Sequence, residues 1–208
     1  MKLYFAPAAC SLSPHIVAQE AGIPLTLVKV DTSTKKLADG GDYLAINPKG
    51  YVPALQLDDG QVLTEGPTIV QYLADSKPDA KLVPPGGTME RYRVQEMLGY
   101  INSELHKTYS PLFRPATSPE LRKDREEYLQ KRYVLVEQQL AKGGPYLFGE
   151  QFTAADAYLF TVTNWANFVK LDLSAFPNLL AFQVRVAARP AVRAAMVAEG
   201  LQPAAATK

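Results

Sequence analysis

The sequence predicts two architectures in succession, an α/β domain followed by an all-α helical bundle. Three observations carry this. Short runs rich in β-favouring residues cluster in the first 63 positions, residues 78–87 form a proline- and glycine-rich bridge, and beyond it apolar residues recur at helical spacing. The boundaries that follow are 1–77 for the first domain, 78–87 for a linker and 88–208 for the helical domain.

Lys2-Leu3-Tyr4-Phe5 opens the chain as a short strand, and a turn of small residues leads to the only cysteine, Cys10. Ser13 followed by Pro14 reads as a helix cap with proline at the first helical position, and Gly22 closes that helix. The thiol therefore stands at a strand-to-helix junction, where backbone N–H groups and the helix dipole favour an anion. A lone cysteine is also a good small core residue, so the junction alone does not decide its role.

Leu25 to Val30 alternates apolar with polar residues as a second strand, and strand, helix, strand in that order imply a right-handed crossover with parallel strands. Residues 31–41 read as a polar loop containing Lys35-Lys36, and Tyr43-Leu44-Ala45-Ile46 as a helical turn. Tyr51 to Leu57 is a third strand, Asp58-Asp59-Gly60 a hairpin turn and Gln61 to Leu63 the return. Pro53 donates no ladder hydrogen bond, so it belongs at the strand's mouth or on a cis bond after Val52. A helix from Thr64 to Leu73 then begins at Glu65-Gly66, a second helix start suited to an anion. The order β-α-β-α-β-β-α is that of a thioredoxin-like domain.

In the second part Val94, Leu98, Ile101 and Leu105 mark one buried face, while Gly99, Asn102, Ser103 and His106 share a neighbouring polar one. Such a face is ordinarily just solvated, but His106 is able to donate to a ligand or relay a proton. Ser118-Pro119-Glu120 caps a helix with the stripe Leu129, Tyr133, Val136 and Leu140. Thr153-Ala154-Ala155-Asp156 reads as a capping box on an apolar helix, which explains Asp156 better than acid chemistry does. Pro177 and Pro190 begin two further short helices, and residues 202–208 read as a disordered tail.

Composition narrows the function classes. With 22 Lys plus Arg against 21 Asp plus Glu, no basic surplus points to nucleic acid or an anionic membrane. One cysteine and two histidines supply no disulfide framework and little material for a protein-only metal site, so no metal is expected. No signal-peptide run opens the chain and no segment reaches transmembrane length, so a reducing cytoplasm is the expected location.

Taken together, Cys10 after the first strand, Tyr51-Val52-Pro53, Leu63-Thr64-Glu65-Gly66-Pro67, Ser103-Glu104-Leu105-His106-Lys107, Phe152-Thr153-Ala154-Ala155-Asp156 and Arg189-Pro190 resemble the bacterial beta class of glutathione transferases across nearly the whole chain. The resemblance implies a glutathione-binding first domain, an all-helical domain that contributes the electrophile pocket and dimer contacts, and a homodimer whose partner completes each site. It places Cys10 at the glutathione sulfur, Lys35 at the glycine carboxylate, Val52 beside Pro53 on the cysteinyl backbone, and Glu65 with Gly66 at the γ-glutamyl end. Ser103, Glu104 and His106 match positions that reach over from the other subunit. The class commonly carries Asn at position 99, where this chain has Gly99, with Asn102 one turn on along the same face.

The implied reaction is conjugation of the glutathione thiolate to small hydrophobic electrophiles, as in detoxification or the metabolism of aromatic and halogenated compounds. Glutathione is the co-substrate. Lowering a thiol pKa of ~8.5 by about two units takes roughly 2.7 kcal/mol, which one or two charge-assisted donors supply. Backbone N–H groups near Cys10 and a partner-chain His106 are the expected donors, with Ser11 and Tyr4 as hydroxyl alternatives. Ala8, Ala9, Tyr109, Phe113 and Trp165 are the expected pocket, although core packing explains the aromatics about as well. Cys10-Ser11-Leu12-Ser13 has a CxxC frame lacking the second thiol, so a glutaredoxin-like monothiol oxidoreductase acting through Cys10 is the alternative, and a non-catalytic carrier of apolar ligands is a third.

Overall fold

A computed structural model describes residues 1–201; the tail read as disordered, 202–208, lies outside the described residues. The chain divides into two compact units, one formed by residues 1–83 together with the chain from Ala187 onward, the other by Pro84–Val186.

The first unit is built on a five-stranded sheet of order β3-β2-β1-β4-β5, made of β1 (Lys2–Phe5), β2 (Thr26–Asp31), β3 (Lys36–Leu37), β4 (Ala54–Gln56) and β5 (Val62–Thr64). β1 runs parallel to β2, with Leu3 opposite Leu27, and antiparallel to β4, with Leu3 opposite Leu55. The expected crossover is therefore present, formed by α1 (Leu12–Glu20). Leu3, Tyr4 and Phe5 are all buried, as befits a central strand covered on both faces. The strand β3, within the stretch read as loop, pairs antiparallel with β2 through Val30 and Leu37. Two residues are too short to leave a period-two signal.

α1 starts two residues before Pro14, with Ser11 rather than Ser13 at the cap position. Neither serine caps it through its side chain in the expected way. The Ser11 hydroxyl bridges the backbone of Ala6, and the Ser13 hydroxyl donates back to the Cys10 carbonyl at 2.8 Å. A 3₁₀ turn at Tyr43–Ala45 precedes β4, and α2 (Gly66–Asp75) follows β5 with Ile69, Val70 and Leu73 wholly buried.

The second unit contains α3 (Met89–Tyr100), a π-helical segment at Ile101–His106, α4 (Lys107–Tyr109), a 3₁₀ turn at Ser110–Phe113, α5 (Pro119–Leu140), α6 (Ala154–Thr163), α7 (Trp165–Val169) and α8 (Pro177–Ala187), whose last residue reaches the boundary between the units. The stripes Val94, Leu98, Ile101, Leu105 and Leu129, Tyr133, Val136, Leu140 are buried as their spacing predicts. Ser118 accepts the Leu121 N–H and Pro119 takes the first helical position of α5. α6 is buried at every residue and forms the centre of this unit.

α9 (Pro190–Ala198) belongs with the sheet unit, whereas the sequence assigns all of 88–208 to the helical domain. It packs on α1 and buries Val192 and Ala195. Arg189 grips Glu20 through two bonds of 2.6 and 2.8 Å, and His15 Nδ1 meets Glu199 Oε1 at 3.0 Å in a buried pair. Periodicity identifies a helix and its apolar face but carries no information about which unit that face covers.

Candidate functional site

In the sheet unit, the loop between β1 and α1 holds Ala8, Ala9 and Cys10, all partly buried, with Ala8 at φ 60°. Cys10 Sγ lies 3.2 Å from the Val52 carbonyl oxygen, and the Val52-Pro53 bond is cis. The pairing of β1 with β4 brings these two segments together, since Tyr4 stands opposite Ala54. The Leu12 and Ser13 N–H groups bond the carbonyls of Ala9 and Cys10 at 3.0 and 3.2 Å. Those two donors of the helix start are thus occupied by the turn itself, contrary to the expectation of open N–H groups there.

Both hydroxyl alternatives for activating a thiol are also committed elsewhere. Ser11 is fully buried; its oxygen accepts the Ala6 N–H and its proton goes to the Ala6 carbonyl at 3.1 Å. Tyr4 donates to Gln56 Oε1 at 3.0 Å within the cluster of Val30, Tyr43, Val52 and Ala54, and burial, aided by Asp39, pushes its pKa up.

Around this loop, Lys35 Nζ donates to the Gly50 carbonyl at 2.9 Å and stands 6.0 Å from the Tyr51 ring centre. Glu65 precedes α2 at φ 70° and its carboxylate meets Lys49 Nζ at 2.7 Å, with Gly66 as the first helical residue. Lys49 also donates to the Thr64 hydroxyl. Cys10, Lys35 and Glu65 are therefore tied to one stretch, residues 49–52, by three hydrogen bonds. Lys49 was not foreseen; an exposed lysine in an Asn-Pro-Lys-Gly turn gives no hint of a carboxylate 16 residues away. Behind the loop, burial raises the Glu199 carboxyl while His15 and the Ala8 backbone draw it back down.

In the helical unit, the π segment carries Asn102, Ser103, Glu104 and His106 together. The Lys107 N–H reaches the carbonyl of Asn102, five residues back, which identifies a π turn. Such turns are rare and concentrate at functional sites. His106 Nδ1 lies 2.6 Å from the Tyr158 hydroxyl, and Tyr158 donates to Asn102 Oδ1 at 3.0 Å. The His106 ring also makes a T-shaped contact with Trp165, with centroids 4.7 Å apart. Glu104 accepts from Tyr128 at 2.6 Å, has Arg132 Nε at 3.5 Å and takes a bond from Ser103 at 3.3 Å. Tyr128, Arg132 and Tyr158 escaped the sequence reading because they stand 24 to 56 residues from their partners. The one usable signal was a hydroxyl-bearing aromatic on the largely apolar α6.

Of the expected pocket aromatics, Phe113 is 47% exposed and stacks edge-on with Trp165 at 5.6 Å. Tyr109 is wholly buried, with its hydroxyl 3.0 Å from that of Tyr133, so it backs Trp165 as core rather than lining a surface. Burial and the neighbouring Tyr133 push its pKa well up. Asp156 caps α6: Oδ2 takes the Thr153 N–H and hydroxyl at 2.8 and 2.7 Å, and Oδ1 takes the Leu147 N–H at 2.8 Å. Among the described residues no three His, Cys, Asp or Glu side chains come together as a metal-ligand group, and no helix is long and apolar enough to cross a membrane.

Comparison with known proteins follows the same division. Residues 9–76 match the glutathione S-transferase N-terminal domain and residues 100–190 the C-terminal domain. The chain is 50% identical over 202 residues to glutathione S-transferase GstA of Escherichia coli O157:H7, covering 97% of this chain and 100% of that protein. A bacterial beta class glutathione S-transferase from Sphingomonas chungbukensis superposes with a TM-score of 0.93 at 45% identity, over 97% of this chain and 100% of that one. A sphingomonad glutathione S-transferase complexed with glutathione superposes at 0.92 with 42% identity, over the same shares. The thioredoxin-like sheet unit, the helical unit and the matching of both to their own domain families lead to one conclusion: this chain is a member of the glutathione S-transferase family, with the bacterial beta class among its structural neighbours.

Proposed function

We propose that the protein conjugates the glutathione thiolate to small hydrophobic electrophiles, with Cys10, Lys35, Val52, Pro53, Glu65 and Gly66 binding the tripeptide. The observation that carries this is the linkage of Cys10, Lys35 and Glu65 to residues 49–52, where a thiol and an ammonium meet backbone carbonyls and a carboxylate meets the Lys49 side chain. Glutathione offers complementary groups: a thiol, two carboxylates, an α-ammonium and two peptide bonds. On binding, Lys35 would exchange the Gly50 carbonyl for the glycine carboxylate, and Glu65 would take the γ-glutamyl ammonium in place of Lys49. The glutathione-bound sphingomonad relative supports the choice of ligand.

In this reading the protein works as a cytoplasmic homodimer. Asn102, Ser103, Glu104 and His106, gathered by the π segment, serve the partner's glutathione. Phe113 and Trp165 of the helical unit hold the apolar electrophile. Tyr4 and Ser11 drop out as activators because their protons are engaged in the fold, which leaves the proton of the glutathione thiol to His106 and its charge to the Cys10 loop.

The test is retention on immobilised glutathione together with conjugation of an activated aryl halide. Retention and turnover are expected; a folded protein that shows neither overturns the proposal. A second reading has its own observation. The Cys10 thiol is partly buried, in no disulfide and two residues before α1, so its thiolate would be placed to attack glutathione disulfide, forming a Cys10–glutathione bond and releasing one glutathione. A glutathione adduct on Cys10 in the mass spectrum would support that activity.

A further inference from the structure

We infer that Tyr158 and Asn102 act as positioning residues that fix the proton of neutral His106 on Nδ1, so that Nε2 is the nitrogen presented to the glutathione thiol as proton acceptor. The inference rests on the proposed function for its chemical purpose, and on the helical unit's geometry for its substance.

Tyr158 has a single hydroxyl proton. That proton points to Asn102 Oδ1 at 3.0 Å, and the same oxygen lies 2.6 Å from His106 Nδ1. An oxygen whose proton is given to the amide can meet Nδ1 only as an acceptor, so Nδ1 must carry hydrogen. The chain then runs in one direction, from Nδ1–H to the phenol oxygen and from the phenol O–H to the amide carbonyl. In the neutral ring this leaves Nε2 as the basic nitrogen.

The geometry is well supported on both sides. Asn102 and His106 are four residues apart on the π segment, and Tyr158 is on α6, two residues beyond Asp156, whose carboxylate pins the start of that helix with three hydrogen bonds. Trp165, at 4.7 Å and nearly perpendicular, further restrains the imidazole plane. Protonation at Nε2 requires no reorganisation, since the imidazolium keeps the same Nδ1–H bond and the carbonyl at the end of the chain takes up the increased polarity.

During conjugation the glutathione S–H bond breaks and its proton moves to Nε2. The electron pair left on sulfur forms the new carbon–sulfur bond as the leaving group departs with its own pair. The imidazolium then returns its proton to water through Nε2, and the tautomer is restored.

The experiment is a long-range proton–nitrogen correlation spectrum of the uniformly ¹⁵N-labelled full chain near pH 8, recorded without glutathione. The sequence contains only two histidines, so the His106 signals are identified by their disappearance in His106→Gln. The wild type is expected to show the pattern of a neutral ring protonated on Nδ1. Asn102→Ala removes the carbonyl, releases the Tyr158 proton toward Nδ1 and should convert the ring to the Nε2–H form. Tyr158→Phe should leave a mixed pattern and lower kcat for conjugation about tenfold to a hundredfold, with KM for glutathione changed less than about threefold. A wild-type ring protonated on Nε2 would mean that the Asn102 amide lies the other way round and would overturn the inference; so would an unchanged tautomer in folded Asn102→Ala. Because the spectra need no substrate, failure of the tautomer assignment and failure of conjugation are read separately.

Discussion

Replacing Asp156 separates a structural from a chemical carboxylate. Its side chain is wholly buried and accepts from the Thr153 N–H, the Thr153 hydroxyl and the Leu147 N–H. Asp156→Ala strands two buried backbone donors at about 1–3 kcal/mol each, and a total loss of about 3–5 kcal/mol is expected. Asp156→Asn keeps one acceptor oxygen but turns an NH₂ toward a donor, so about 1–3 kcal/mol is expected. Both losses are large against a typical stability of about 5–15 kcal/mol.

The pH dependence has a definite sign. Burial raises this carboxyl from 3.8 to about 6, outweighing the hydrogen bonds that lower it. Between these values the folded chain holds the proton more tightly than the unfolded chain does. Asp156's contribution is therefore complete below about pH 4, and stability falls by about 3 kcal/mol as pH rises to 6 and beyond. Urea unfolding of wild type and Asp156→Asn from acid to neutral pH should show a steeper fall in the wild type, because Glu199, also raised by burial, titrates in both. Parallel profiles would refute the reasoning. So would a folded Asp156→Asn enzyme that loses conjugation a hundredfold, because a cap supplies no chemistry.

Cys10→Ala should abolish glutathione adduct formation while conjugation falls by no more than about tenfold, read by mass spectrometry and by turnover of an aryl halide. Arg189→Ala removes both bonds to partly buried Glu20 and should lower stability by about 1–2 kcal/mol in urea unfolding, with the deficit shrinking in high salt. Phe113→Ala should raise KM for an apolar aryl halide about threefold to tenfold and leave KM for glutathione unchanged, consistent with loss of one partly exposed ring.

What the sequence made legible follows from the range of each interaction. Ser118 capping α5, the Thr153–Asp156 box and the stripes from Val94 to Leu105 and from Leu129 to Leu140 are local in sequence and were read correctly. The start of α1 was misplaced by an equally local rival: Ser11 and Ser13 bond to loop backbone five and three residues before them instead of the expected N–H groups. The π segment left no trace, because one extra residue per turn scarcely alters an apolar stripe. Among the candidate residues, Cys10, Val52-Pro53 and Glu65 stand at points that local pattern marks, a strand-to-helix junction, a strand mouth and a helix start, while the resemblance supplies the glutathione roles expected of them. Lys49, Tyr128 and Tyr158 are set by tertiary contacts and carried no local mark.

The return of α9 to the sheet unit makes the helical unit an insertion within a discontinuous domain. During synthesis the sheet and α1 emerge well before the helix that buries Val192 and Ala195 and is flanked by Arg189 and Glu199; Arg189 lies 169 residues beyond its partner Glu20. The face of α1 that meets α9 is therefore covered only after the helical unit has been made, leaving a long interval in which that face is available to chaperones. For the same reason, domain shuffling that exchanges residues 84–186 while retaining the final helix keeps the sheet unit whole, whereas a cut made once, at the linker, would not.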